Sequence, residues 1–204
     1  IAKRIREEGL DISWSASSRV DIFTDELAQA MKKGGCHTIY FGIESGSQKT
    51  LDFIGKGITP EQSISAVKKA KKHKIRALGA FIIGFPEETK EDIEKTIKLS
   101  KKVGVDFAQF TIATPYPGTR LWKYALARKL ILTFDWRKYT TLDPVMKLKN
   151  FTAQQITKLF QKAYISFYLR PLYLIKDLIS RKGFILMRAI PRVIKMARSL
   201  MVGN

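Results

Sequence analysis

Four mainly apolar segments alternate with amphipathic segments along the first part of the chain. The apolar segments are predicted strands near residues 10–14, 38–43, 75–83 and 105–113. Between them, apolar residues recur at helical spacing, and threonines suited to cap helices precede these stretches at Thr24, Thr59, Thr89 and Thr119. Such alternation is typical of parallel strands joined by right-handed crossovers. The pattern predicts an α/β fold, either a (β/α) barrel or a doubly wound sheet.

The alternation ends near residue 130, and the chain after it has a different character. We predict three regions: an α/β core over 1–129, an irregular connection or lid over 130–150, and a basic amphipathic helical tail over 151–204. The connection contains Trp136 and Tyr139, which favours an ordered segment because flexible linkers lack such aromatic residues. Pro171 and Pro191 are predicted to divide the tail into separate helices.

The charge is concentrated in this tail. The chain has 37 basic and 18 acidic side chains, and residues 150–204 hold ten of the basic ones with a single acid, Asp177. A helical stripe of Arg181, Arg188, Arg192 and Lys195 is either a solvated face or the rim of an interfacial helix on anionic lipid. We favour peripheral contact with an anionic membrane, and no pattern predicts nucleic-acid binding.

Cysteine usage and hydropathy address the compartment. The single Cys36 excludes an internal disulfide and favours a reducing compartment. The longest apolar stretch, 163–175, is interrupted by Arg170 and is too short to span a bilayer. We therefore expect a cytoplasmic protein. If the basic tail contacts anionic lipid, the protein would associate peripherally with the inner face of the membrane.

Polar clusters follow each predicted strand, at 15–21, 42–47, 84–89 and 114–119. In parallel α/β folds ligands collect at the carboxyl ends of the strands. This rule selects Arg19, Glu44, Ser45, Gly84, Glu87, Thr114 and Tyr116. Gly42 and Ile82, near the same strand ends, complete the set of candidate site residues. They suit a ligand with an amino-acid part, a ribose and an aromatic base, although a nucleotide or a sugar phosphate also fits some of them. The alternative to ligand binding is a purely structural role, in which these turns only lead into helices and Glu87 only organises its loop.

Three ordered motifs carry a resemblance to a known family. The segments "IYFGIESGSQKTLDFIGKGITPEQ", "GAFIIGFPEETKEDIEKTI" and "TPYPGTRLW" closely resemble the carboxyl-terminal two-thirds of a radical S-adenosylmethionine (SAM) core domain, of the branch often fused to a cobalamin-binding domain. The resemblance covers roughly residues 9–125. It implies a partial (β/α)6 TIM-like barrel, with the four predicted strands as its third to sixth, followed by the basic helical extension.

The resemblance also implies roles for the candidate residues. Glu44 and Ser45, with Gly42 before them, would contact the ribose and methionyl parts of SAM. Ala80-x-Ile82-x-Gly84-x-x-Glu87 matches the family's adenine-supporting motif, with Ala80 where glycine is usual. Arg19 would pair with a carboxylate. Residues 114–119 would close the sixth strand near adenine and substrate, with Thr114 on the cofactor side and Tyr116 on the substrate side.

The family's cluster motif is missing from this chain. Its chemistry uses CxxxCxxC, because three thiolates hold a 4Fe-4S cluster and leave one iron for SAM, whereas Cys36 is the single cysteine here. No metal ligand is assigned in the chain. Because Ile1 opens on what reads as the last turns of a helix, we expect a fragment whose native chain begins upstream, where the cluster ligands and any cobalamin domain would lie.

Three functions follow from these observations. The first is part of a radical SAM enzyme that cleaves SAM reductively to a 5′-deoxyadenosyl radical. Such an enzyme could carry out cobalamin-dependent methyl transfer or cyclisation on a lipid, tetrapyrrole or other secondary metabolite. The electron donor of the enzyme would be a flavodoxin or ferredoxin. The second is a cluster-free SAM- or nucleotide-binding or membrane-docking module. The third is a sugar-phosphate enzyme on an eight-stranded barrel.

Overall fold

The computed structural model describes residues 1–181. The predicted stripe beyond Arg181 and the predicted break at Pro191 lie outside the described residues. The strands are β1 Trp14–Ser18, β2 Cys36–Glu44, β3 Arg76–Ile83 and β4 Phe107–Ile112. The helices are α1 Ala2–Glu7, α2 Asp25–Lys33, α3 Gln48–Phe53, α4 Pro60–Lys72, α5 Lys90–Lys102, α6 Arg120–Ala127, α7 Ala153–Tyr168 and α8 Pro171–Arg181.

Helix starts follow the side chains that cap them. The hydroxyls of Thr24, Thr59 and Thr119 accept hydrogen bonds from backbone amides in the first turns of α2, α4 and α6. At Thr59 the side chain of Gln62 returns the bond and completes a capping box, with Pro60 in the first turn. The predicted caps of these three helices are confirmed.

The first strand lies four residues later than predicted. The expected strand at 10–14 is wrong, because pairing with β2 begins at Trp14, opposite Cys36, and runs to Ser18, opposite Phe41. Leu10 and Ile12 are 52% and 44% exposed, so their alternation with polar residues does not reflect a buried face. The serines that the sequence placed after the strand therefore belong to it.

The sheet order distinguishes the two predicted architectures. The four strands are parallel neighbours in the order β1-β2-β3-β4. A doubly wound sheet reverses its strand order at a switch point, whereas consecutive order is that of a singly wound (β/α) barrel. The predicted α/β fold class is confirmed, and the order favours consecutive units of a barrel.

The chain divides into two compact units, and the boundary passes through β3, α5 and β4. The first unit comprises Ile1–Phe81 and Glu94–Gln109, and the second comprises Ile82–Ile93 and the chain from Phe110 onward. In the first unit Ile39, Phe41 and Ile43 of β2 are at most 1% exposed, and Phe41 packs edge-on against Phe23. Each unit thus has its own buried core.

In the second unit, the aromatic residues of α7 form much of the core. Phe160 and Phe167 are at most 5% exposed, and the Tyr164 hydroxyl bonds both backbone groups of Phe110 in β4. The segment before α7 carries a short 3-10 helix, Trp136–Lys138, and an isolated antiparallel bridge between Ile131 and Met146. Within residues 1–181 no helix combines the length and apolar character needed to cross a membrane.

Candidate functional site

A groove of about 530 Å³ lies on one face of the sheet in the first unit. Its lining comes from all four strands and two loops: Ser17, Ser18, Arg19, Tyr40, Phe41, Gly42, Lys56, Leu78, Ala80 and Gln109. Side chains at alternate positions of a strand share one face, which explains why Tyr40 and Gly42 of β2 and Leu78 and Ala80 of β3 meet there. Tyr40 is 41% exposed and offers the groove an aromatic ring.

The end of β2 has an irregular backbone that changes the direction of Glu44. The pairing of β2 with β3 shifts between Gly42 and Glu44, so Ile43 is an extra residue in the strand. Glu44 itself has a φ of 66°, in the left-handed region that costs an L-residue about 1 kcal/mol. Such bulges and strained residues cluster beside functional sites.

Glu44 forms a half-buried ion pair with Lys56. The distance from Lys56 Nζ to Glu44 Oε1 is 2.7 Å, and the two side chains are 21% and 15% exposed, respectively. Within the described part of the chain, this lysine is the only polar partner of the Glu44 carboxylate. The second oxygen, Oε2, therefore retains its capacity to accept hydrogen bonds from a ligand.

Gly42 provides the space for this ion pair. A Cβ at position 42 would lie 2.6 Å from Glu44 Oε1 and 2.9 Å from Lys56 Nζ. Contacts this short require the charged groups to move, so the absence of a side chain at Gly42 lets them lie against the β2 backbone. The predicted role of Gly42 in cofactor binding stays a prediction. Its steric role is to leave room for the Glu44–Lys56 ion pair.

Arg19 lies at the same groove with its guanidinium already engaged. Its Nε and Nη2 donate to the two oxygens of Asp21 at 3.0 and 2.9 Å, and Nη2 also donates to the Lys56 carbonyl at 2.9 Å. The hydrogen bonds from Arg19 lower the pKa of Asp21. The predicted pairing of Arg19 with a ligand carboxylate stays a prediction, and the Nε and Nη2 groups of its guanidinium hold Asp21 and the Lys56 backbone.

The hydroxyl of Ser45 is directed into the protein. Ser45 is fully buried, its Oγ lies 2.9 Å from Thr96 Oγ1, and it accepts from the Ser47 amide at 3.1 Å. Thr96 Oγ1 also accepts from the Gly46 amide at 2.9 Å. In this arrangement Ser45 ties the loop after β2 to α5. Its predicted contact with the ribose and methionyl parts of SAM stays a prediction, and its hydroxyl is occupied.

In the second unit, the loop after β3 is organised by Glu88. The Glu88 side chain is buried, and its Oε2 accepts from the amides of Gly84 and Phe85 at 2.7 and 3.0 Å. A carboxylate that accepts two backbone N–H groups makes charge-assisted bonds, which are stronger than neutral ones. Sequence reasoning missed this role and assigned the loop-organising alternative to Glu87.

Gly84 is required by both conformation and packing. Its φ is +84°, and a Cβ there would lie 3.1 Å from Cγ1 of Ile156 in α7. Ile82, two residues earlier in β3, is half-buried. The predicted flat surface for an adenine at Ile82 and Gly84 stays a prediction, since these two features explain the glycine without a ligand.

Glu87 is tied by polar contacts within the second unit. Its oxygens accept from Tyr124 at 3.0 Å and from Lys149 at 3.2 Å. The Lys149 bond is the largest cause that lowers the pKa of Glu87, and the Tyr124 hydroxyl adds to it. Burial raises the pKa of Tyr124, and its bond to Glu87 raises it further.

Thr114 and Tyr116 follow β4, also in the second unit. Thr114 Oγ1 donates to the Ile112 carbonyl at 3.0 Å, which closes the strand end. Tyr116 is 41% exposed and donates its hydroxyl to the Tyr139 carbonyl at 2.7 Å. Its ring is accessible for the predicted substrate side, while its hydroxyl holds the segment around the 3-10 helix.

The described residues do not fit an iron-sulfur cluster. Cys36 is buried, and burial raises the pKa of its thiol, which disfavours the thiolate that a metal requires. Across residues 1–181 no group of three His, Cys, Asp or Glu side chains could hold a metal ion. Any cluster would need ligands from outside this chain.

The chain is thus an α/β protein with a groove on one face of its sheet. Residues 1–100 match the model of the Radical SAM superfamily. The chain is 68% identical to an uncharacterized methyltransferase of Pyrococcus horikoshii over 190 residues, which cover 93% of this chain and 41% of the relative. This chain belongs to the radical SAM superfamily, as its motifs predicted.

Further comparisons agree with this assignment. The anaerobic magnesium-protoporphyrin IX monomethyl ester cyclase of Cereibacter sphaeroides is 30% identical over 161 residues, 78% of this chain and 26% of the relative. The radical SAM methyltransferase TsrM of Kitasatospora setae, solved with cobalamin and a [4Fe-4S] cluster, has a TM-score of 0.56 and 17% identity over 62% of this chain and 27% of its own. The chain spans less than half the length of these curated relatives.

The sequence-derived set lacks several residues that line the groove, among them Lys56 and Tyr40. Lys56 stands in "GKG", a sequence that served only to mark the turn before α4. Tyr40 alternates with Gly42 along β2, and the period of two would have placed both on one face. In contrast, nothing local in the sequence predicts that Thr96 holds Ser45, because 51 residues separate them.

Proposed function

We propose that this chain forms the SAM-binding part of a radical SAM enzyme. The observation that carries the proposal is the Glu44–Lys56 ion pair beside the groove, since it arises from the motif that marks the family's ribose-contacting strand end. Glu44 Oε2 would accept from ribose hydroxyls, and the Tyr40 ring and the small Gly42 and Ala80 leave room on the sheet. The groove volume of about 530 Å³ suits a nucleoside-sized ligand.

Bound SAM would supply a 5′-deoxyadenosyl radical for hydrogen abstraction from an unactivated carbon, through one-electron cleavage of its C5′–S bond with methionine as the leaving group. The residues of this chain would bind and orient the nucleoside. The 4Fe-4S cluster and the contact for a flavodoxin- or ferredoxin-type donor would come from outside the chain. The names of the relatives support methyl transfer or cyclisation on a small molecule such as a tetrapyrrole, with cobalamin as a further cofactor in the methyltransferase case. A lipid or another secondary metabolite is the other substrate class that we propose.

The test uses the native protein that contains this chain, purified without oxygen and treated with SAM and dithionite. We expect 5′-deoxyadenosine, measured by mass spectrometry, and at least tenfold less of it from a Glu44→Gln variant. Failure of the wild type both to form 5′-deoxyadenosine and to bind S-adenosylhomocysteine would contradict the proposal.

The alternative function is a cluster-free module that binds SAM or another nucleotide. The observation that favours it is the single, buried Cys36 in this chain. The same assay distinguishes the two functions, because a binding module would bind S-adenosylhomocysteine and form no 5′-deoxyadenosine even with iron and sulfide supplied.

A further inference from the structure

Helix α8 exposes a continuous stripe of large apolar side chains. These side chains are Leu172, Ile175, Leu178 and Ile179, and the first and last of them are 82% and 81% exposed. At about 100° per residue, the four positions fall within an arc of about 120° around the helix. Single exposed apolar residues are normal on a protein surface, whereas a contiguous apolar patch marks an interaction surface. These four residues are the apolar arc of α8.

Packing against α7 determines which face of α8 is exposed. The Tyr173 ring lies edge-on against the rings of Phe167 and Tyr168, with centroids 5.1 and 5.6 Å apart. The Arg170 guanidinium covers the Phe167 ring at 4.3 Å from its centroid. Tyr173 lies about 160° around the helix from the middle of the apolar arc. Docking of Tyr173 on α7 therefore turns the arc away from the core of the second unit.

The part of the chain that contains α8 is strongly cationic. Residues 170–204 hold eight Lys and Arg and a single acid, Asp177. An apolar arc combined with an excess of positive charge is typical of helices that lie at the surface of anionic lipid. A second copy of this chain would bring the same positive charge, which opposes self-association. The charge therefore favours an anionic lipid surface over a second copy as the partner of the arc.

The length of α8 suits a helix that lies on a bilayer. Its 11 residues extend about 16 Å, whereas the hydrocarbon core of a bilayer is about 30 Å thick. We propose that α8 is a membrane-surface helix, whose apolar arc enters the boundary between headgroups and acyl chains of an anionic bilayer. The positive charge of residues 170–204 attracts the anionic headgroups. This inference is independent of the proposed function.

The test measures binding of the native protein that contains this chain to unilamellar vesicles by flotation. The vesicles consist of phosphatidylglycerol or, as the comparison without net charge, of phosphatidylcholine. We expect binding to phosphatidylglycerol to be at least about tenfold stronger, because the cationic segment is attracted to the anionic surface. This binding should weaken as the salt concentration rises, since salt screens the attraction.

Two double variants test the apolar arc itself. Leu172→Gln with Ile179→Gln makes the arc polar and should weaken binding to phosphatidylglycerol at least about tenfold, because less apolar surface enters the lipid. The matched control is Ile22→Gln with Leu142→Gln, which replaces two side chains that are 59% and 54% exposed elsewhere. Its affinity should stay within about twofold of the wild type. Circular dichroism checks that both variants fold.

Hydrogen–deuterium exchange of the wild type locates the contact without any substitution. We expect the backbone amides of α8 to exchange more slowly when phosphatidylglycerol vesicles are present. The amides of α4 serve as the internal reference and should be unaffected. Unchanged exchange in α8 while the protein is bound to vesicles would overturn the inference, because another surface would then make the contact.

The remaining outcomes also decide the inference. Selective loss of binding in the arc variant, with protection of α8, supports it. A wild type that does not bind phosphatidylglycerol vesicles overturns it, as does an arc variant that binds them equally well. A dimer that the arc variant loses, seen by sedimentation velocity without vesicle binding, would assign the arc to a second copy and overturn it as well. The 5′-deoxyadenosine assay decides the proposed function separately.

Discussion

The ends of β2 and β3 have similar sequences, but their side chains have different structural roles. Each follows a buried strand with a glycine and acidic residues, "GIESGS" in the first unit and "GFPEET" in the second. At the end of β2, the acid Glu44 pairs with Lys56 of the groove lining, and the serine that follows, Ser45, is buried and holds the loop. After β3, the acid Glu88 is buried and holds the loop, and its neighbour Glu87 is half-buried.

The difference shows that burial, and not residue type, determines which side chain stabilises the loop at each strand end and which one remains available to a ligand. A buried polar group must be hydrogen-bonded, and a side chain that satisfies several backbone amides stabilises the turn. Ser45 meets that need in the first loop, which leaves the Glu44 carboxylate an oxygen for a ligand. In the second loop Glu88 satisfies the buried backbone amides, so its carboxylate stabilises the fold.

The largest effect is expected from removing the Glu88 carboxylate. Glu88→Ala leaves the amides of Gly84 and Phe85 without their acceptor in a buried loop, at about 1–3 kcal/mol for each unsatisfied group. We expect the free energy of unfolding in urea to fall by about 3 kcal/mol. Glu87→Ala, one residue away, is the control and should cost less than about 1 kcal/mol. Equal losses in both variants would mean that the two acids do not differ in role.

An intermediate effect is expected at the hydroxyl pair of the other loop. Thr96→Val removes the partner of the Ser45 hydroxyl and the acceptor of the Gly46 amide, and should lower the free energy of unfolding by about 2 kcal/mol. Ser45→Ala should cost about 1 kcal/mol, with a coupling energy of about 1 kcal/mol in the double-mutant cycle. Ser65→Ala, at an exposed position of α4, is the control. Strict additivity of Ser45→Ala and Thr96→Val would contradict the contact.

The smallest effect is a pH dependence from Glu87. Lys149 and Tyr124 lower the folded-state pKa of Glu87 below its usual value of about 4.5. Its contribution to stability is therefore complete above the unfolded-state pKa and is lost as the pH falls through the lowered folded-state pKa. The stability difference between wild type and Glu87→Gln should shrink as the pH falls below about 4.5.

Thermal melts between pH 3 and 7 would measure this difference. Lys149→Met removes the main partner of Glu87, so in that background the Glu87→Gln difference should vary less with pH. A difference that stayed constant across this range would show that Glu87 titrates alike in the folded and unfolded chains.

Local signals in the sequence predicted most of the fold. Thr59, Pro60 and Gln62 set the start of α4 through contacts within four residues, and such contacts are legible in a sequence. The first strand was misplaced because Leu10 and Ile12 alternate with polar residues without being buried. Only the partner strand, which begins at Cys36, decides where pairing starts.

The sequence predicted where the candidate site residues lie better than it predicted what their side chains bind. The rule that ligands collect at strand ends selected Arg19, which lines the groove, and Glu44, which pairs with the lining residue Lys56. It could not predict that Asp21 accepts from Nε and Nη2 of Arg19 or that Thr96 pairs with the Ser45 hydroxyl. Those pairings depend on tertiary contacts, and they decide which polar groups remain for a ligand.

The most direct test of the central claim is the affinity of the groove for S-adenosylhomocysteine before and after Glu44→Gln, measured by isothermal titration calorimetry. The amide keeps the size of the side chain and removes the charge that pairs with Lys56. The control is Glu61→Gln, an exposed residue of α4. The account predicts binding by wild type and by the control, and about tenfold weaker binding by Glu44→Gln. Unchanged affinity in Glu44→Gln would contradict it.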